Sequence, residues 1–223
     1  LKPLWGAYEA LGKAREHRAP LELDLPERRV EIGEDGNVSA ITTKERFDAH
    51  RLIEEFMIQA NVAAAETLEA QGAPLLYRVH DQPSDAKLAA LADFLQTLDM
   101  KWPLGERPQT GRFNRLLSET RETDHADVIS EVILRSQAQA VYHPENNGHF
   151  GLNLAKYAHF TSPIRRYSDL VVHRALISSL KLGEDGLTKE MAALASRRAA
   201  WAIAARIVVL GLLSLHVGDL GMG

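Results

Sequence analysis

The 223-residue chain contains no cysteine, so neither a disulfide framework nor a thiolate-bound metal site can form. That suits a reducing compartment, and a cytoplasmic location is expected. Two adjacent aspartates occur nowhere in the sequence. Hard, oxygen-seeking cations need clustered carboxylates, and the nearest approach, Asp124 with Asp127, reads as charge at the start of a helix. His143, His149 and His159 lack the i,i+4 spacing of a helical zinc site, which excludes a zinc hydrolase of that kind. No signal-like segment opens the chain. It begins with Leu1, not Met, and is therefore expected to be a piece of a longer product. From Ala199 to Leu215 only Arg206 is charged, which is marginal for a membrane span, and a buried helix or a divergent terminus is expected instead. What remains is ordinary for a globular protein, with 45% hydrophobic and 25% charged residues.

The pattern along the chain predicts a helix-rich α+β fold with short strands. A first helix runs from Trp5 to about His17 and is closed by Pro20. Arg28–Ile32 and Val38–Ile41 alternate around the turn residues Glu34-Asp-Gly-Asn37, which predicts a β-hairpin. Thr42 with Glu45 has capping-box spacing and is expected to open a long helix ending near Gln71, before Gly72 and Pro74. Leu75–His80 reads as a short buried strand. Ser84 is expected to cap a helix reaching about Leu98, and further helices fall near Arg112–Ser118, Asp124–Val141 and beyond Thr188. No repeat or low-complexity linker interrupts the chain, so one mixed α/β unit is expected.

Residues 157–174 combine the most unusual choices. A strand-like Tyr157–Thr161 meets Ser162, a good N-cap residue, and Pro163, which suits a first helical position. Ile164, Tyr167, Val171 and Ala175 then share one helical face, so Tyr167 reads as core. On this reading Arg165 and Arg166 occupy the first turn, where free amides and the macrodipole are already positive. A bound phosphate would neutralise that charge, since helix amides and arginine forks both suit its oxygens. The plainer alternative is an i,i+4 pair of Arg165 with Asp169. Between Gly151 and Lys181 the charge is +4, so the rest of the chain carries −8 of its total of −4. Such a local basic stripe suits selective phosphate contact on an acidic protein.

The run Tyr157-Ala-His-Phe-Thr-Ser-Pro-Ile-Arg-Arg-Tyr-Ser-Asp-Leu170 resembles the signature of the ribonuclease II / ribonuclease R family, whose catalytic module is the RNB domain. Leu52-Ile-Glu-Glu-Phe-Met-Ile-Gln-Ala-Asn61, Leu76-Tyr-Arg-Val-His-Asp-Gln-Pro-Ser84 and Ile133–Leu152 resemble the same family in the same order, ribonuclease R being the nearer branch. The resemblance covers roughly residues 5–198. It implies a partial RNB domain over 1–198, the C-terminal half without its upstream aspartate cluster, followed by a divergent apolar tail over 199–223.

The resemblance also implies roles. Arg165 would lie near the scissile phosphate and stabilise the charge that builds on its oxygens, with Ser162, Arg166 and His159 as further RNA contacts. Glu54 would face the RNA 3′ end, where a carboxylate can accept from a ribose 2′-OH. Read from the residues alone, Glu54 is a partly exposed carboxylate, Glu55 is a surface partner of Arg51, and His159 and His173 are satisfied core histidines. Leu23 loosely occupies the place of an aromatic that stacks on the terminal base in relatives. Beyond Arg198 the chain departs from its relatives, reading Ala204-Ala-Arg-Ile207 where they keep a charged run.

The implied activity is 3′→5′ hydrolysis of single-stranded RNA to nucleoside 5′-monophosphates. Mg²⁺ is its implied cofactor, assignable to no residue of this chain. The implied partners are the preceding half of the RNB domain and cold-shock-like and S1 RNA-binding modules, with no membrane. The isolated chain is then expected to be inactive and prone to association. Two rival expectations are a non-catalytic RNA-binding module and a structural interaction fragment.

Overall fold

A computed structural model describes residues 2–23, 28–43, 45–188 and 191. Among them the elements follow in the order α1 (Lys2–Arg18), β1 (Arg28–Ile32), β2 (Val38–Thr43), α2 (Asp48–Ala70), β3 (Tyr77–Val79), α3 (Asp85–Gln96), α4 (Thr110–Thr120), α5 (Ala126–Ser136), β4 (Val141–His143) and α6 (Tyr167–Leu180). The expected α+β class, with short strands and a hairpin, is what the chain forms. The expected single unit is not: the described residues pack as two compact units, with those of 1–58, 81–139 and 150–154 in the first and those of 59–80, 140–149 and 155–188 in the second. No linker marks the division because it falls inside α2 and at loops that carry ordinary composition.

In the first unit the core is helical. Leu88, Leu91 and Leu95 of α3 meet Phe113 and Leu116 of α4 and Ile129 and Ile133 of α5, each set spaced three or four residues apart so that it lies on one helical face. Ser84 caps α3 as expected, accepting from the Lys87 amide at 3.4 Å. The hairpin β1–β2 is antiparallel, with a register shift between Glu31 and Ile32. Gly36 supplies the positive φ of its turn. The expected helix start at Thr42–Glu45 is displaced to Asp48: Ile41-Thr-Thr43 completes β2 instead, as β-branched residues favour. The helix is opened by Phe47, whose amide donates to His50 Nδ1 at 3.1 Å while its carbonyl accepts from the His50 amide at 2.9 Å.

The second unit packs Ala64, Ala65 and Leu68 of α2 against Leu75, Tyr77 and Val79, with Ala158 and the α6 residues Val172 and Ala175. Helix α2 ends as predicted at Gly72, which has φ +61°, while the Ala73 amide reaches back to the Leu68 carbonyl at 3.0 Å. Strands β3 and β4 pair antiparallel, Val79 opposite Val141. The Arg78 amide donates to the Tyr157 carbonyl at 2.8 Å, and this bond ties the signature segment to the sheet.

The signature helix begins later than its sequence suggests. Residues 163–165 form a separate turn in which the Ser162 carbonyl accepts from the Arg165 and Arg166 amides at 3.3 and 3.1 Å. Arg166 then has extended backbone, φ −128° and ψ 116°, and precedes the first helical residue, Tyr167. Ser162 therefore does not cap α6 with its side chain, and Arg165 and Arg166 are outside the helix. Ile164 is 98% exposed and Tyr167 55% exposed, so neither belongs to the core face, which is made by Val171, Val172 and Ala175 with Ser168 and Asp169. The tail at 199–223, and the helix expected after Thr188 apart from Met191, lie outside the described residues.

Candidate functional site

The second unit holds the signature turn, and Asp169 organises it. This carboxylate is fully buried. It accepts from the Ser162 amide at 2.8 Å, from an Arg166 Nη at 2.7 Å and from the Ser168 hydroxyl at 3.2 Å. Burial pushes its pKa up, but the Arg166 and Ser162 bonds and the Arg166 charge outweigh burial and hold it below the usual carboxylate range. The alternative Arg165–Asp169 pair is not formed; Asp169 pairs with Arg166 instead, i,i+3. The reason is the extended backbone at Arg166, which turns that side chain inward. Arg165 is exposed, and its guanidinium has no partner among the described residues. The Arg166 Nε and Thr161 Oγ1 atoms are buried there without a hydrogen-bond partner among the described residues.

Behind the turn stands a shell of rings. His159 Nδ1 and the Tyr142 hydroxyl are 2.7 Å apart, and the His159 ring packs edge-on against Tyr142 and Tyr157. Arg78 lies over the Tyr142 ring, 4.8 Å from its centre. Burial, then the nearby Arg166 and Arg78 charges, lower the His159 pKa to about 4. Burial, then His80 and Arg78, lower that of His149 to about 3. Both rings are therefore neutral near pH 7; His159 can make a hydrogen bond but brings no positive charge to a phosphate. His173 is a satisfied interior histidine: its Nε2 is 2.8 Å from the Phe160 carbonyl and its ring stacks on Phe160.

The basic stripe is thinner than its composition suggests. Lys156 pairs with Glu69 at 2.6 Å, Arg166 with Asp169, and the Arg174 guanidinium reaches Met191 Sδ at 3.3 Å. Of the stripe's cations, Arg165 and Lys181 remain exposed without a side-chain partner among the described residues.

Glu54 belongs to the first unit. Its carboxylate is 42% exposed and pairs with Arg46. It borders a cavity of about 390 Å³ shared with Tyr8, Leu23, Arg46 and Arg51. Its neighbour Glu55 corrects the sequence reading. Instead of pairing with Arg51 at the surface, Glu55 is buried, 2.5 Å from Arg15 and 3.7 Å from Arg18; Arg51 turns to Asp48 at 3.5 Å. The spacing of Leu52, Glu55 and Ile58 places Glu55 on the apolar face, a signal legible in the sequence.

Among the described residues no group of three His or carboxylate side chains could hold a metal ion. Asp124 and Asp127 are both exposed. The donors among the described residues therefore do not fit Mg²⁺. Among the described residues no helix is long and apolar enough to cross a membrane.

The RNB domain family model matches residues 1–181. Ribonuclease R of Escherichia coli K12 is 40% identical over 192 residues, which are 85% of this chain and 24% of that protein. Among solved structures, Mycoplasma genitalium RNase R in complex with ribose-methylated single-stranded RNA superposes with a TM-score of 0.76 at 27% identity, covering 86% of this chain and 30% of that one. Yeast Ssd1, described as a pseudonuclease, superposes with a TM-score of 0.55 at 26% identity, covering 67% of this chain and 19% of that one. The chain belongs to the RNB domain family, and it spans about a quarter of the length of the curated relatives it matches.

Proposed function

We propose that this RNB-domain chain is the RNA-holding part of a ribonuclease R-like 3′→5′ exoribonuclease that acts on single-stranded RNA in the cytoplasm. In that reaction water attacks the terminal phosphodiester phosphorus and the bond to the 3′ oxygen of the preceding nucleotide breaks, releasing a nucleoside 5′-monophosphate. Arg165 is the catalytic residue of this reading: its fork grips the non-bridging oxygens and offsets the charge that grows on them. Ser162, Arg166 and His159 hold the turn and its RNA contacts, and Glu54 accepts from a ribose hydroxyl. Mg²⁺ would be held by carboxylates outside the described residues, in the other half of the domain, and the chain by itself is inactive.

The observation that carries this reading is the exposed Arg165, without a partner among the described residues, on a turn whose other arginine is already neutralised. The test is binding of fluorescent single-stranded RNA to this chain at a series of salt concentrations. Arg165→Ala should weaken binding and reduce the slope of log K against log salt by about 0.7 for a single-stranded ligand; Arg165→Lys should recover the slope but only part of the affinity. Unchanged affinity and slope in Arg165→Ala would remove the reading.

A second reading is favoured by the likeness to a pseudonuclease together with the donor set described above. Here the chain binds RNA without cutting it. An aspartate-rich segment in the remainder of the gene product supports the enzyme, and its absence there supports the binding module.

A further inference from the structure

We propose that Asp169 is a positioning residue for Arg165, sorting two adjacent arginines so that one is locked inward and the other is presented to a phosphate; this rests on the RNA-binding role assigned to Arg165 above. Side by side, two free guanidinium groups would repel each other and share any anion indiscriminately. The fully buried Asp169 removes that ambiguity. One of its oxygens, Oδ1, accepts from both the Ser162 amide at 2.8 Å and the Arg166 guanidinium at 2.7 Å, so the start and the end of the five-residue turn are pinned to a single atom. The other oxygen accepts from Ser168, 3.2 Å away. The Ser162 carbonyl in turn accepts from the Arg165 and Arg166 amides at 3.3 and 3.1 Å.

Arg165 lies inside this clamp as its one charged residue whose side chain the clamp does not use. Its backbone is held at the amide, and its guanidinium points to solvent from a fixed base. Of the two arginines the buried carboxylate pairs with Arg166, leaving Arg165 as the available cation. Asp169 thereby reduces the freedom Arg165 must lose on binding, which is how preorganisation raises affinity. Reading Asp169 only as a helix-stabilising carboxylate accounts for the i,i+3 pair but not for the bond to Ser162, seven residues away and outside the helix.

The test is a double-mutant cycle on this chain, with single-stranded oligouridylate as the probe and thermal unfolding measured in parallel. Asp169→Asn keeps size and one acceptor but removes the charge that holds Arg166. The expected result is an affinity loss of about tenfold with a reduced salt slope, and a double variant Asp169→Asn/Arg165→Ala no more than about twofold weaker than Arg165→Ala alone, the non-additivity of residues acting as one unit. A purely structural Asp169 would lower the melting temperature while leaving affinity and salt slope unchanged well below it. That outcome, or additive losses, would overturn the inference while leaving the RNA-binding reading intact. If the wild-type chain binds no RNA, both fall together. Should Asp169→Asn fail to fold, hydrogen exchange in the wild type decides: the Ser162 amide should be protected to the level of the α6 amides, and rapid exchange there would show that the clamp is not formed.

Discussion

Asn61 and Tyr157 are 96 residues apart in sequence and joined by a buried hydrogen bond of 2.9 Å from the Asn61 amide nitrogen to the Tyr157 hydroxyl. The Asn61 carbonyl oxygen accepts from the Phe160 amide at 2.8 Å. One side chain of α2 thus satisfies two groups of the segment that leads into the Arg165 turn. The adjacent bond from the Arg78 amide to the Tyr157 carbonyl holds the same segment from β3.

Replacing Asn61 should therefore damage stability in a graded way. Asn61→Leu leaves the Phe160 amide and the Tyr157 hydroxyl without their partner, at about 1–3 kcal/mol for each buried group orphaned. Asn61→Asp should cost less near neutral pH, because a carboxylate still accepts from the Phe160 amide and the Tyr157 hydroxyl can turn to donate. Urea unfolding of the two variants measures the difference. Equal losses would mean that the side chain matters only by its volume.

Much of this architecture is readable from residue types. The Ser84 cap, the Gly72 stop and the hairpin around Gly36 follow from local rules, because in each case one residue and its nearest neighbours decide the outcome; His159 and His173 instead find their partners 17 and 13 residues away. The start of α6 does not follow from local rules either. Ser162-Pro163 is a sound helix opening, but the helix starts later: the buried Asp169, seven residues on, accepts from the Ser162 amide, and Arg166, with extended backbone, precedes the first helical residue. Glu55 is a similar case. Its local partner, Arg51, competes with Arg15, 40 residues away, and burial on the apolar face of α2 decides for Arg15. Family resemblance alone gives Glu54 its role; its geometry, a half-exposed carboxylate paired with Arg46, does not by itself single it out.

Glu54 and Glu55 should separate cleanly in stability. Removing one partner of a buried pair leaves an uncompensated charge, so Glu55→Ala should cost about 3–5 kcal/mol. Glu54→Ala breaks an exposed pair and should cost no more than about 1 kcal/mol. Chemical denaturation of both variants checks this ordering. A Glu54 variant as unstable as the Glu55 variant would show that the exposed carboxylate has a structural role beyond its bond to Arg46.

The hairpin β1–β2 should drive association. Val30 lies opposite Ile41 and Ile32 opposite Val38, and all four are more than half exposed. Contiguous apolar surface of this kind, on a two-stranded sheet with free edges, recruits other chains. The chain should elute as oligomers that bind an apolar dye, and Ile32→Thr with Val38→Thr should reduce both effects without lowering the melting temperature. A monodisperse, dye-silent wild type would remove the hairpin as an association surface.

Acid should destabilise the second unit before its carboxylates titrate. An unfolded histidine takes a proton as the pH falls through about 6.5, whereas folded His159 resists until about 4 and folded His149 until about 3. Between those limits the unfolded chain holds more protons than the folded one, so stability rises with pH across the window and is fully present only above about 6.5. The groups that enforce this are burial first, then Arg166 and Arg78 around His159, and His80 and Arg78 around His149. Asp169 opposes the shift of His159 but does not cancel it. Urea midpoints measured at pH 7.5, 6.5, 5.5 and 5.0 should fall steadily below pH 6.5. Substituting His149→Asn with His159→Gln should flatten that part of the curve, because neutral amides have no proton to gain. An equally steep acid limb in the double variant would assign the loss to other groups and show that these two rings already charge in the folded protein.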